Sequence, residues 1–323
     1  MTNQFPGIDH KVASGRANLS VLLRNKASTQ SSTEASTKGG TPLLFVHGAT
    51  YPSTVMFDYA IDGYSWMDWM AQAGFDVWCI DLLGYGGADR PPEMSQPPDE
   101  NGPIVDTAEA VADVKRAIDF ILRERDTHSV DLVGYSWGTA ISAQIAGEEP
   151  ARVRRLALCG ALWLRSVASQ IAMTGSLGAY RTVTAQATIK RWTIGLSESQ
   201  KTAIAPAARF EAWSESAIAS DPGSASHQPA HLRAPTGVVR DVQTRWQQGS
   251  PTYDPSLIQC PVSVVVGEWD QETTPEEGRS VFEKLSRSAQ RRFTIIGGGT
   301  HSVLLENQRH QLYETVRGFL AAP

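Results

Sequence analysis

Short, mostly apolar runs recur along the chain at Leu43–Val46, Phe75–Ile80, Val130–Val133, Arg155–Leu158 and Val262–Val266. Runs this short, without polar alternation, predict strands buried on both faces. Between them, Ala108–Leu122 sets Ala108, Val111, Ala112, Val114, Ile118 and Ile121 largely at helical spacing, and Ser136–Gly147 reads as a second helix. Strands alternating with helices predict an α/β fold: a mostly parallel central sheet with helices on both sides.

The alternation stops after Leu162 and resumes at Cys260-Pro261. Leu164–Gly249 is rich in Ala and Ser, shows no clear strand and holds Trp192, Trp213 and Trp246. The expected organisation is one α/β core, residues 1–160 and 250–323, carrying a helical cap insertion over 161–249. A separate small domain is the alternative. A length of 323 residues accommodates either. The Ser/Thr/Gly-rich stretch Ala27–Thr41 has no periodicity and is expected to be a loop.

Composition narrows the function classes. Hydrophobic residues make up 41% and charged residues 20%, as in an ordinary globular protein. A net charge of −5 favours neither nucleic acid nor an anionic membrane as partner. No window approaches the uncharged apolar length of a membrane span, and Met1–Asn25 lacks the pattern of a secretory signal. The expected partner is a small-molecule substrate. Cys79, Cys159 and Cys260 form no disulfide pattern, and a reducing cytoplasm suits them. The stretch Ala161–Gly249 is locally basic, with nine Lys/Arg against five Asp/Glu. A solvated basic face is the plain explanation, and steering of anionic substrates is the alternative.

Three segments carry candidate chemistry. Gly134-Tyr135-Ser136-Trp137-Gly138 matches the Gly-x-Ser-x-Gly nucleophile elbow and lies between an expected strand and an expected helix. Such a turn holds the serine in a strained conformation that exposes its hydroxyl. Gly63-Tyr64-Ser65-Trp66-Met67 copies four of these five residues but lacks the second glycine and the preceding strand. It is therefore set aside. His47-Gly48-Ala49 follows the strand Leu43–Val46, where the second donor of an oxyanion hole belongs. The donors would be the N–H groups of Ala49 and Trp137, with His47 structural. Gly297-Gly298-Gly299-Thr300-His301 follows another apolar run, and the order Ser136, Asp270, His301 matches a hydrolase triad of this topology. Asp270 follows the strand Val262–Val266, with Glu268 and Glu272 as rivals. His227 and His231 are four apart, but Pro229 breaks any shared helical face, so no metal site is expected.

Together the segments Val46-His47-Gly48, Asp81–Gly86, Gly134–Gly138, Gly267–Asp270 and Gly299–His301 resemble the α/β-hydrolase superfamily, in its cap-bearing serine esterase branch. The resemblance runs from about Leu43 to the C-terminus. It implies a serine hydrolase of the carboxylesterase type, without metal or organic cofactor. Amides (Trp137 is similar to the prolyl iminopeptidases), lactones and carbon–carbon bonds next to a ketone are other substrates it allows. Acyl transfer to an alcohol is also possible on this fold, as is a non-catalytic binding role. Trp163, Trp192, Phe210 and Trp213 are candidate pocket walls.

Overall fold

In a computed structural model that describes residues 5–26 and 41–322, ten strands and ten α-helices follow one another along the chain. The strands are β1 (Ile8–Ala13), β2 (Ser20–Lys26), β3 (Pro42–Val46), β4 (Asp76–Asp81), β5 (Val130–Tyr135), β6 (Val153–Cys159), β7 (Tyr180–Thr184), β8 (His231–Pro235), β9 (Val262–Gly267) and β10 (Arg291–Ile296). The helices are α1 (Ser53–Met56), α2 (Trp66–Gln72), α3 (Thr107–Arg125), α4 (Trp137–Glu148), α5 (Ala185–Trp192), α6 (Glu198–Ile204), α7 (Ala207–Ala219), α8 (Gly237–Thr244), α9 (Pro275–Lys284) and α10 (Arg309–Leu320).

Eight strands form one sheet in the order β1-β2-β4-β3-β5-β6-β9-β10. From β4 to β10 all pairings are parallel, while β1–β2 and β2–β4 are antiparallel. The α/β reading therefore holds, and the five apolar runs are five of its strands. Their side chains alternate between two cores. Leu44, Val46, Leu132 and Leu156 pack with Val114, Ile118 and Ile141 on one side; Leu43, Phe45, Val133 and Ala157 pack with Trp66, Met70, Val316 and Phe319 on the other. Burial on both faces is why these strands read as mostly apolar runs without alternation. The Ala27–Thr41 loop expectation falls almost wholly outside the described residues.

The reading missed two pieces. β1 is an edge strand whose one buried residue is Val12, and β2, though largely buried, carries an apolar run of only Val21-Leu22-Leu23 before Arg24-Asn25-Lys26, so neither stands out in the sequence. The segment 161–249 is not free of strands: β7 and β8 pair antiparallel, from Tyr180↔Pro235 to Thr184↔His231. A two-stranded ribbon buries too little to leave a strong pattern, and Pro235 sits at its end, where no ladder donor is needed. The α-helices of the segment are α5 to α8, and residues 161–179 run as turns and irregular chain ahead of β7. No described helix is long and apolar enough to cross a membrane.

Candidate active site

The C-terminal ends of the parallel strands meet at one edge of the sheet, where such folds place ligands. β5 runs straight into α4 through Ser136, whose backbone is at φ 54° and ψ −119°. This conformation is costly for a residue with a side chain and survives only where packing enforces it. Close approach of the backbones supplies that enforcement. A Cβ at Gly134 would stand 2.4 Å from the Gly138 carbonyl oxygen, and one at Gly138 would stand 2.1 Å from the Val46 carbonyl oxygen. Both flanking positions therefore admit glycine alone. The Ser136 side chain makes no capping bond and is left free for other partners.

Its partner is His301. Nε2 lies 3.0 Å from Ser136 Oγ, and Nδ1 lies 2.9 Å from Asp270 Oδ2. Asp270 is buried after β9 and held on every side. Oδ1 accepts from the Glu272 and Thr273 N–H groups at 2.8 Å each, and Oδ2 accepts from the Thr273 hydroxyl at 2.9 Å. The loop of His301 is pinned too: Tyr135 donates its hydroxyl to the His301 carbonyl at 2.6 Å. The buried Glu306 takes the Thr300 N–H at 3.0 Å and the Thr300 hydroxyl. Burial raises the Glu306 carboxyl above its usual range.

The rival carboxylates have other work. Glu268 is exposed and accepts the Gly298 N–H at 2.8 Å, bracing the loop ahead of His301. Glu272 is buried and holds the 161–249 segment instead, accepting from the Ser169 hydroxyl at 2.6 Å and the Gln170 N–H at 2.7 Å. Thr274 caps α9 with Pro275 at its first position.

His47 does not reach the serine. It is fully buried, its Nδ1 facing the Gly48 carbonyl at 2.7 Å, and its Nε2 accepts the Leu82 N–H at 3.2 Å. The Leu82 contact requires an unprotonated Nε2, so Nδ1 is the donor. Burial pushes its pKa down to about 4, so the ring is neutral at physiological pH. The Asp81–Gly86 loop is structural: Asp81 is buried and accepts from Thr54 N–H at 3.2 Å and Gly87 N–H at 3.0 Å. The Trp137 N–H is first in α4 and has no carbonyl a turn back to receive it. Ala49 borders the same cavity as Ser136.

That cavity is lined by Gly48, Ala49, Ser136 and His301 below, and by Tyr51, Met56, Thr188, Arg191, Trp192 and Trp213 around and above. Of the four candidate aromatic walls, Trp192 and Trp213 are there. Trp163 is not: it follows β6 and donates to the Tyr253 carbonyl at 3.0 Å. Phe210 is not a wall either. It stands edge-on behind Trp192, ring centroids 4.6 Å apart, and serves the packing of α7 on α5. Tyr51, Thr188 and Arg191 were missed, because nothing local marks a residue as facing a cleft made by distant segments. Among the described residues no cluster suited to a metal ion occurs, and His227 and His231 simply stack, 4.2 Å between centroids.

Residues 41–308 match the family model of the alpha/beta hydrolase fold, and the chain belongs to that family. No curated protein matches the sequence. Among solved structures, the chain is similar to a serine hydrolase involved in carbazole degradation, at 16% identity and a TM-score of 0.62, covering 98% of this chain and 99% of that one. It is also similar to a meta-cleavage product hydrolase from Pseudomonas fluorescens, at 14% identity and a TM-score of 0.63, covering 96% and 97%. A thermophilic esterase from Thermogutta terrifontis follows at 17% identity and a TM-score of 0.58, covering 97% and 98%. At these identities the likeness is one of fold.

Proposed function

We propose that the protein is a serine hydrolase that cleaves a carboxylic ester through an acyl-enzyme, with Ser136 as nucleophile, His301 as base and Asp270 as acid. The observation that carries this reading is the unbroken line from Ser136 Oγ through the His301 ring to a buried, fully bonded Asp270 carboxylate. His301 Nε2 takes the hydroxyl proton as Oγ bonds to the carbonyl carbon. Asp270 fixes the ring with Nδ1–H toward itself and stabilises the imidazolium that forms. The Ala49 and Trp137 N–H groups receive the oxyanion. The carbon–oxygen bond to the alcohol then breaks, and the alcohol leaves with the proton from Nε2. Water attacks the acyl-enzyme by the same route, releasing the carboxylic acid and restoring the serine. No step calls for a metal or organic cofactor. Three buried free cysteines suit a reducing compartment such as the cytoplasm.

The test is twofold. A fluorophosphonate probe should label the protein at Ser136 and fail to label Ser136→Ala. A panel of nitrophenyl esters should be turned over by the wild type. Absence of both labelling and turnover would leave a binding protein on a hydrolase fold. Turnover of amides, lactones or vinylogous diketones in preference to esters would move the assignment to another acyl or carbon–carbon bond. A new ester formed from added alcohol would move it to acyl transfer.

A further inference from the structure

Two guanidinium groups converge beside the proposed oxyanion loop. Arg181, on β7, and Arg191, near the end of α5, both donate to Thr50 Oγ1, the latter at 2.9 Å. Thr50 directly follows Ala49 and is held at φ 95°, a region that β-branched residues avoid. One neutral hydroxyl is a poor match for two cations. Other arginines of the same segment have carboxylates: Arg233 lies 2.8 Å from Asp221, Arg165 lies 3.5 Å from Glu272, and Arg240 pairs with Asp106. Among the described residues, no carboxylate stands at ion-pair distance from Arg181 or Arg191. The Nε of Arg181 is buried with no hydrogen-bond partner. Burial, and then the charge of Arg191, push the Arg181 guanidinium down to about 10. Two like charges held together without a counter-ion are a standing electrostatic cost.

The arrangement also faces the right way. Arg191 borders the cavity that presents Ser136 and His301, together with Gln170, Tyr51 and Thr188. Tyr51 donates to the Thr188 hydroxyl at 3.0 Å, so the polar wall is built and not merely exposed. Trp192 and Trp213 add apolar surface to the same cavity, with Tyr51 edge-on to Trp213 at 4.9 Å between ring centroids.

We infer that Arg191, backed by Arg181, is an anion subsite of the proposed active site, and that the substrate is an ester carrying a free carboxylate, as in a half-ester of a dicarboxylic acid. A guanidinium fork matches a carboxylate in shape and charge, and the ligand supplies the counter-ion that the protein lacks. The claim about turnover rests on the ester-cleavage reading; the claim about the anion contact does not. The expected consequence is specificity expressed mainly in KM, because Arg191 contacts the part of the substrate that does not react.

The experiment pairs kinetics with binding. Release of nitrophenolate is measured for the 4-nitrophenyl half-ester of glutaric acid and for 4-nitrophenyl hexanoate, which is similar in length and neutral. The wild type should favour the half-ester by about tenfold or more in kcat/KM, and Arg191→Gln should abolish the preference by raising KM for the half-ester. Arg191→Lys should retain part of it, since the charge stays and the fork is lost; it is read in place of Arg191→Gln should that variant fail to fold. Glutarate is titrated calorimetrically into Ser136→Ala, alone and combined with Arg191→Gln, and the second change should weaken binding about tenfold or more. Equal losses on both esters, no preference in the wild type, or glutarate binding indifferent to Arg191 would each overturn the proposal. The titration needs no turnover, so a protein that binds glutarate through Arg191 yet cleaves no ester would keep the anion site and sink only the hydrolase reading.

Discussion

The chain contains the tetrapeptide Gly-Tyr-Ser-Trp twice, at Gly63–Trp66 and at Gly134–Trp137, and both copies open a helix, but their serines take different conformations and partners. Ser65 is in extended backbone, φ −98° and ψ 172°, and caps α2. Its Oγ accepts the Asp68 N–H at 3.0 Å while Asp68 returns the bond to the Ser65 N–H at 2.9 Å, a reciprocal capping box. Ser136 also precedes a helix, but at φ 54° its side chain turns away from the helix end and meets His301. The difference lies in what precedes and follows. Gly134 and Tyr135 close a strand at the centre of the sheet, whereas the residues before Ser65 make only the isolated bridge Ile61↔Tyr64. Gly138 lets α4 press against β3, while Met67 occupies the matching place after Ser65. A motif of this kind is a packing arrangement, and the serine is its outcome.

Substitutions on the two sides of this comparison should differ in kind as well as size. Ser136→Ala is expected to cut kcat by roughly 10³-fold or more with folding intact by circular dichroism, since the covalent route is lost. If ester turnover survived Ser136→Ala and vanished in Ser65→Ala, the two serines would have to exchange roles. Asp270→Asn should lower kcat by about 10²–10⁴-fold, because the amide can favour the wrong histidine tautomer. Glu268→Gln and Glu272→Gln, assayed in parallel, should each cost less than about tenfold in kcat; a larger loss in either would reassign the acid.

Smaller effects should appear in stability. Gly138→Ala forces a methyl against the Val46 carbonyl, and urea denaturation should show a loss of about 3 kcal/mol or more. A wild-type midpoint would mean that α4 does not need its close seat on β3.

His47 supports the same side of the comparison from behind. Its pKa is about 4 when folded, against ~6.5 in an unfolded chain. Between these values the unfolded chain binds the extra proton. Stability present above ~6.5 is therefore lost as pH falls toward the folded value, by about 2 kcal/mol at pH 5. Burial raises the Asp131 carboxyl to about 6, and this group works in the opposite direction. The measurement is accordingly a difference: urea midpoints at pH 7 and pH 5 should drop further in the wild type than in His47→Gln. Equal drops would mean that His47 takes up its proton without opposition. Ser65→Ala, the smallest effect, should cost about 1 kcal/mol of stability through the lost cap and leave kcat within about twofold. A stability unchanged by this substitution would remove the capping role.

What was legible follows from which signals are local. β3, β4, β5, β6 and β9 were readable because a strand covered on both faces is apolar at most of its positions. Ser136, His301 and Asp270 were readable because the turn that strains the serine demands glycines at fixed offsets, and because the fold constrains the order of the three residues. β1 and the β7–β8 ribbon were not readable: each buries too little to impose a pattern. The pocket was half readable. Aromatic residues could be counted, but the direction in which a ring points depends on helix phase and packing. That dependence sent Trp192 and Trp213 into the cavity, Phe210 behind Trp192 and Trp163 to Tyr253.

By itself, then, the sequence determined the sheet's inner strands, the elbow and the identity of the three residues that meet there, since backbone geometry and burial restrict residue type at each of those positions. Only the tertiary structure decided that Arg181 and Arg191 would share Thr50, more than 130 residues away in the chain. Arginines are compatible with almost any neighbour, so no local rule marks the two that converge on one hydroxyl without a counter-ion. Their charge acquires meaning only when the chain brings them to one point beside the serine.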